Sequence, residues 1–270
     1  MSPSICASAF VAANGRYFDL RTNIRQGGGI RQIARTPHAP WPHLTGASVE
    51  RPQPIPSEYI LSTGTWHIII NNQAKTSLLD PKYDMLCNID IYGKKNPTIR
   101  FMGGREYEYL CSELKINKNL INSIDYDFFN YKKFLLPSFA EGGPFKLKKI
   151  NIKKYLNKPI IFRYMLINSY IAFVMNFCLS KIKSNNKIII DGPLAKNITI
   201  LRILKDLRKK QEIYINFDTE GTVKGVNLLF NMKKKNHIKL KKIKTYSTKN
   251  LNFYYNLWLS KIKERKLLNN

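Results

Sequence analysis

Residues 62–65 combine hydroxyl side chains with glycine in a way that suits phosphate oxygens. Ser62, Thr63, Gly64 and Thr65 lie between two β-rich runs, so they predict a hairpin turn. A tight turn with glycine exposes consecutive backbone N–H groups, and the flanking hydroxyls can add further donors. Ordinary hairpins use the same residues, so this segment alone fits a phosphate site or a plain turn.

A second segment with the same chemistry comes between a short apolar run and an amphipathic one. Its residues are Gly192, Pro193, Ala195 and Asn197. Glycine lets a ligand approach the backbone, and the first turn of a helix offers free N–H groups. The small Ala195 leaves room for a flat ring or a phosphate. A common strand-to-helix connection has the same composition.

A third segment places Gly103, Gly104 and Arg105 at another strand-to-helix junction. Arg105 could pair with a phosphate, or with Glu106 or Glu108. A structural salt bridge is the favoured role for Arg105.

Hydrophobic periodicity indicates which elements position these segments. Antiparallel strands come first and strand–helix alternation follows, which predicts an α/β fold with helices packed on a mixed sheet. Residues 160–182 are long enough to span a bilayer, but Arg163, Asn168 and Asn176 interrupt them, so a buried core helix is favoured. The predicted strands are residues 58–61, 66–71, 85–92, 98–102, 187–190 and 213–217, and the predicted helices are residues 104–114, 122–135, 160–182, 197–209, 224–233 and 251–267.

The composition of the chain changes near residue 57. Residues 1–57 are rich in Arg, Pro, Gly and Ala, and the first lysine is Lys75. From residue 58 onward Lys, Asn, Ile and Tyr dominate. We therefore predict a poorly ordered or foreign leader at 1–57 and one domain at 58–270. No CxxC pair occurs among the four cysteines, which argues against a zinc site or a disulfide framework.

The formal net charge of the chain is +27. The lysines are scattered over the second part of the sequence, whereas a nucleic-acid reader more often shows a clustered basic face with interleaved aromatics. A solvated surface is favoured, with weak nonspecific binding to polyanions. The alternative is a nonenzymatic basic domain that binds nucleic acid or a protein partner.

Taken in order, the segments resemble the C-terminal half of the FGGY carbohydrate kinases, over about residues 59–258. The glycine-proline version of the second segment and the GGPF sequence resemble the branch near the fuculose and rhamnulose kinases. The matching sequences are ILSTGTW (60–66), DMLCNIDIYGKKNPTIRFMGGREYE (84–108), LPSFAEGGPF (136–145), KIIIDGPLAKN (187–197) and GTVKGVNLLF (221–230).

This resemblance implies an actin-like, ribonuclease-H-like ATPase domain that holds ATP and Mg²⁺ in a cytoplasmic phosphotransferase acting on a sugar hydroxyl. It implies no membrane partner, and no metal ligand is assigned within the chain. By the same resemblance, Ser62, Thr63, Gly64 and Thr65 would bind the ATP phosphates, Gly192, Pro193, Ala195 and Asn197 would lie beside the adenosine, and Gly103, Gly104 and Arg105 would be accessory.

The chain departs from the family in its acidic residues. The family's general base is an aspartate roughly twenty residues before the hairpin, but no aspartate occurs between Asp19 and Asp80, where only Glu50 and Glu58 are acidic. The sugar-binding half has no room in 57 residues. We therefore assign no catalytic residue and expect a fragment that is inactive alone, or active only when a separate chain complements it.

Overall fold

The computed structural model describes residues 7–11, 17–21, 58–90, 94–117, 124–147, 150–183, 185, 187–216 and 240–269. The predicted helix at 224–233 and the family-like sequence at 221–230 lie outside these residues.

A nine-stranded mixed sheet forms the centre of the fold, in the order β1-β2-β5-β6-β4-β3-β7-β8-β9. Runs of isoleucine build its middle strands because branched side chains pack well on a half-buried pleated surface. β3 pairs with β4 in the predicted antiparallel hairpin and with β7 in parallel. The strands are β1 Ala7–Val11, β2 Tyr17–Arg21, β3 Glu58–Thr63, β4 His67–Asn71, β5 Met85–Asp90, β6 Lys95–Phe101, β7 Lys187–Asp191, β8 Ile213–Asn216 and β9 Leu240–Lys242.

Four α-helices accompany the sheet among the described residues: α1 Gly103–Glu113, α2 Ile160–Lys181, α3 Ile198–Leu207 and α4 Leu251–Glu264. α2 contacts α1 and α3, and α3 also contacts α4. α2 is long and apolar enough to cross a membrane, but the rest of the domain buries residues 164–179 of it. The expectation of a buried core helix is therefore confirmed.

The described part of the leader forms a hairpin of β1 and β2 at the edge of the sheet. Only Phe18 and Asp19 of β2 pair with β5, opposite Asp90 and Ile89. These two residue pairs make a short attachment. Composition predicts that the leader does not pack firmly on the domain, and this expectation remains a prediction.

The helix predicted at residues 122–135 is wrong for the described residues 124–135. A 3₁₀ turn, Tyr126–Asn130, stands there. The Asp125 side chain accepts a hydrogen bond from the Asp127 N–H and starts the turn, and Lys132 adopts a left-handed φ of 49°. A non-glycine residue with positive φ cannot continue a right-handed helix.

Candidate functional site

The hairpin between β3 and β4 and the loop after β7 are in direct contact. Thr63 is 2% exposed, its hydroxyl donates to the Asp191 carbonyl oxygen at 2.6 Å, and it accepts from the Leu194 N–H at 3.1 Å. The parallel pairing of β3 with β7 places Ser62 opposite Asp191 and so brings the two loops to the same edge of the sheet. The two predicted segments therefore form one surface.

Gly192 makes this contact possible through its backbone conformation. Its φ is 96° and its ψ is −170°, a region that side-chain-bearing residues rarely adopt. A Cβ at this position would overlap the carbonyl oxygen of Thr63. The loop then continues as a 3₁₀ turn, Pro193–Lys196, with Pro193 exposed and Ala195 buried.

The third predicted segment also reaches the hairpin. The Gly104 N–H, in the first turn of α1, donates to the Thr65 carbonyl oxygen at 3.2 Å. A Cβ on Gly104 would overlap the Gly64 carbonyl oxygen, so glycine is required for this approach. Gly64 and Thr65 themselves are exposed at the tip of the turn. All three predicted segments meet around this turn.

His67 lies beneath the turn, and no motif in the sequence identifies it as part of the site. It is 2% exposed, and its ring meets that of Phe101 edge to face at 4.9 Å. Its Nδ1 is buried without a hydrogen-bond partner among the described residues, beside Gly103, whose Cβ would overlap the imidazole. Burial lowers the pKa of His67 to about 3, so the ring is neutral at physiological pH.

The segment that contains Gly142 and Gly143 covers the other side of the hairpin. A Cβ on Gly142, where φ is 92°, would lie 2.5 Å from the Trp66 ring. The Gly143 N–H donates to the Asp84 carboxylate at 2.9 Å, and Asp84 also accepts from the Arg100 Nε at 3.1 Å. The Arg100 guanidinium lies 4.5 Å from the Trp66 ring centroid. Charge and ring stacking thus fix the indole next to the turn.

Glu106 anchors the start of that covering segment. Its buried Oε1 accepts from the Ser138 hydroxyl at 2.6 Å and from the N–H groups of Phe139 and Ala140 at 2.8 and 3.1 Å. Its Oε2 accepts from the Tyr170 hydroxyl at 2.7 Å. Burial raises the pKa of Glu106, although these hydrogen bonds oppose the rise. Of the two expected salt-bridge partners of Arg105, Glu106 is therefore wrong, because its carboxylate serves the loop while Arg105 is exposed. A salt bridge to Glu108 stays a prediction.

The Asn197 side chain forms three hydrogen bonds within the protein. Its Oδ1 accepts from the Ile200 N–H and caps α3, while its Nδ2 donates to Asn168 at 2.7 Å and to the Tyr107 hydroxyl at 3.2 Å. These bonds use all the hydrogen atoms of the amide. The polar interruption of α2 at Asn168 was the signal in the sequence that could have revealed this partner.

The predicted site residues of the hairpin and the Gly192 loop differ in exposure. Thr63 and Ala195 are buried and hold the loops together. Ser62, Gly192 and Asn197 are intermediate in exposure, and Gly64, Thr65 and Pro193 are exposed and form the accessible surface. A ligand at this edge would therefore meet backbone and small side chains more than the enclosed polar groups.

Asp191 places a carboxylate beside the joined loops, because it ends β7 directly before Gly192. Its Oδ1 accepts from the Asn216 amide at 3.0 Å, and burial raises its pKa. Among the described residues, no group of three His, Cys, Asp or Glu side chains could hold a metal ion. A metal ion at this edge would need most of its ligands from a bound molecule.

A family model for the C-terminal domain of the FGGY carbohydrate kinases matches residues 56–239. The chain belongs to this family. Among solved structures, this FGGY domain is similar to a carbohydrate kinase from Novosphingobium aromaticivorans, with 24% identity and a TM-score of 0.61, over 77% of this chain and 47% of that one. No curated protein matches the sequence.

More distant structures show the same fold. A xylulose kinase from Rhodospirillum rubrum has 12% identity and a TM-score of 0.56, over 78% of this chain and 47% of that one. A Plasmodium falciparum glycerol kinase, solved with ADP, has 12% identity and a TM-score of 0.51, with the same two coverages. The FGGY domain therefore has the actin-like ATPase fold, and the chain spans about half the length of these relatives. The resemblance to the fuculose and rhamnulose branch is not confirmed.

Proposed function

We propose that this chain is the ATP-binding half of a sugar kinase. The ATP phosphates would lie over Gly64 and Thr65, with the adenosine along the loop from Gly192 to Asn197. The observation that carries this proposal is the contact of Thr63 with Asp191 and Leu194, which joins two backbone-rich loops into one surface. Exposed backbone at such turns suits phosphate oxygens.

Mg²⁺ fits this surface as a companion of the nucleotide. Mg²⁺ is usually held by one or two carboxylates together with substrate phosphates. Asp191, at the carboxyl end of β7, is the protein carboxylate that could help to hold it. When bound, the ion would neutralise charge on the phosphates.

The sugar and the general base are proposed to come from a half of the kinase outside these 270 residues. Two observations support this: the matched family model is a C-terminal domain, and no aspartate occurs from residue 20 to residue 79. Phosphoryl transfer needs a base that orients the hydroxyl, and a positioned base typically contributes about 10²–10⁴-fold. We therefore propose that the chain alone does not phosphorylate sugars. A cytoplasmic location and membership of the branch near the fuculose and rhamnulose kinases are proposed from the sequence alone.

ATP binding by two variants of one exposed position tests the site. Thr65→Glu places a negative charge at the turn, and Thr65→Gln is its uncharged control of similar shape. Two unit charges 4 Å apart repel by about 1 kcal/mol even in water, and ATP carries several charges, so Thr65→Glu should weaken ATP binding at least about tenfold. Thr65→Gln should stay within about threefold of wild type. Titration calorimetry with Mg·ATP measures both.

Thermal denaturation of the wild-type chain separates the proposed kinase function from its alternative. If ATP does not stabilise the chain against heat while an RNA oligonucleotide does, the chain is a basic binding domain. If ATP binds, purified chain should release no ADP above background with a panel of ketoses and aldoses. Activity that appears only when a separately expressed N-terminal kinase half is added would identify a complemented enzyme. Turnover by the chain alone would contradict the proposed absence of a base, and Glu50→Gln and Glu58→Gln would then show which residue replaced it.

A further inference from the structure

A cavity outside the three glycine segments is lined by several basic side chains. It has a volume of about 190 Å³. The cavity is lined by four basic residues, Lys132, Lys133, Lys154 and Arg265, together with apolar and aromatic groups such as Tyr155. Among the described residues, no acidic side chain lines it. A phosphate group or a small phosphorylated molecule fits a space of this size, whereas a polymer could insert only one of its groups.

Within the described part of the chain, no ion pair engages any of the four basic side chains. The acid nearest in sequence is Glu264, but its carboxylate bonds Lys261 at 2.6 Å. Like charges that share a cavity repel one another, and an anion between them removes that repulsion. Arg265 is partly balanced by Glu264, whose pKa is lowered by Lys261 and to a smaller extent by Arg265. The four basic side chains are exposed, so solvent ions or an anionic ligand balance the rest of their charge.

The backbone around the cavity is fixed before any ligand arrives. The Tyr254 hydroxyl donates to the Lys133 carbonyl oxygen, and the Trp258 indole N–H donates to the Leu135 carbonyl oxygen at 2.8 Å. Both donors belong to α4, and Arg265 directly follows that helix. One helix thus sets the distance between Arg265 and the lysines of residues 132–133.

Aromatic rings also guide two of the lysine side chains. The Lys154 ammonium lies 5.1 Å from the Tyr155 ring centroid, and the Lys132 ammonium lies 5.7 Å from that of Phe253. Tyr155 lines the cavity, so its contact restricts the Lys154 side chain at the cavity wall and reduces the ordering cost of binding. Phe253 is not among the described lining residues, so it holds the Lys132 ammonium beside the cavity and not inside it.

We propose that this cavity is a second anion site that binds a compact phosphate, either free inorganic phosphate or pyrophosphate or the phosphate group of a small monoester. The four basic residues of this site lie outside the glycine segments that form the proposed nucleotide surface. The cations hold the phosphate oxygens, and Tyr155 gives an apolar wall to whatever carries the phosphate.

Titration of the full chain with pyrophosphate at constant ionic strength tests this site. The variant Lys133→Gln/Lys154→Gln/Arg265→Gln removes three charges from the cavity. The control Lys209→Gln/Lys210→Gln removes exposed charges elsewhere. An exposed ion pair contributes about 0.2–1 kcal/mol, so the loss of three should weaken binding by about 3- to 150-fold. The control should bind as wild type does. Equal losses in both variants, or no saturable binding at millimolar pyrophosphate, would overturn the proposal.

Lysine acetylation followed by mass spectrometry locates the ligand in the wild-type chain, so the test survives a variant that does not fold. Pyrophosphate should protect Lys132, Lys133 and Lys154 but not Lys209 or Lys210. Parallel titrations with inorganic phosphate and with glucose 6-phosphate distinguish a free phosphate site from one that also holds an organic group. Uniform protection of lysines, or protection only by an RNA oligonucleotide, would show diffuse polyanion binding and refute the site.

Discussion

Replacing Glu106 by alanine should destabilise the fold strongly, because one carboxylate satisfies several buried donors. The Phe139 N–H and the Tyr170 hydroxyl would lose their acceptor, whereas the Ala140 N–H would keep the Ser138 hydroxyl oxygen at 3.3 Å. The Ser138 hydroxyl keeps the Ala140 carbonyl oxygen at 2.6 Å. An unsatisfied buried donor costs about 1–3 kcal/mol, so two should lower the free energy of unfolding by about 2–6 kcal/mol, less whatever is restored by water entering the space that the side chain leaves.

Glu106→Gln is the matched control, and it also isolates the effect of the charge. The amide oxygen can still accept from the loop, and the amide nitrogen can donate to the Tyr170 hydroxyl, so at neutral pH the loss should be about 1 kcal/mol or less. Burial raises the pKa of Glu106 above the ordinary value of 4.5. The folded chain then binds the proton more tightly than the unfolded chain does. Wild-type stability relative to Glu106→Gln should therefore fall as pH rises above 4.5, by at most about 1.4 kcal/mol per pH unit, until the folded pKa is passed.

Urea denaturation of the three proteins from pH 4.5 to pH 8 provides these free energies. The alanine variant should also bind ATP more weakly than the glutamine variant, because the anchored segment holds Trp66 beside the turn. Equal stabilities for the alanine and glutamine variants would refute the role of Glu106 as an anchor. A wild-type stability that rises with pH relative to Glu106→Gln would refute the sign of its pKa shift.

Three further experiments test the joined loops and the leader. Gly192→Ala forces a Cβ into the Thr63 carbonyl and should lower the free energy of unfolding, measured by urea denaturation, by at least about 2 kcal/mol. The control is Gly64→Ala, whose Cβ would be 3.9 Å from the nearest atom and whose stability should stay within about 1 kcal/mol of wild type. Thr63→Val removes the acceptor of the Leu194 N–H and should cost about 1–3 kcal/mol; an unchanged stability would show that this bond is unimportant. Limited proteolysis should trim the chain to a core that begins near residue 58, and a resistant leader would contradict its loose attachment.

Local pattern was enough to predict most of the elements. The isoleucine run of residues 188–190 predicted β7, and the spacing of Ile198, Leu201 and Leu204 predicted α3, because both signals arise from the side that an element buries. The helix predicted at residues 122–135 is wrong over the described residues 124–135 for the same reason. Its apolar residues pack into the core from an irregular segment that Asp125 and Lys132 interrupt.

The roles of individual site residues depended on contacts that no local pattern contains. The hydroxyl of Thr63 suggested a phosphate donor, but its partners are 128 and 131 residues away in the sequence. Glu106 looked like a partner for its neighbour Arg105, yet its donors come from residues 138–140 and from α2. A residue type indicates which bonds a side chain can form, and only tertiary structure decides where its partners lie.

The parallel pairing of β3 with β7 also has a consequence for the order in which the chain folds. The antiparallel strands from β3 to β6 are close in sequence and can pair early, but β7 must close a loop of more than 120 residues to reach β3. Such distant pairing forms slowly, because the chain loses the entropy of loop closure before the new strand contacts can stabilise it. The edge that joins the hairpin to the Gly192 loop is therefore completed late. A nucleotide bound across that edge would bind only chains in which β3 and β7 have paired. It would therefore stabilise the last contacts to form and slow unfolding.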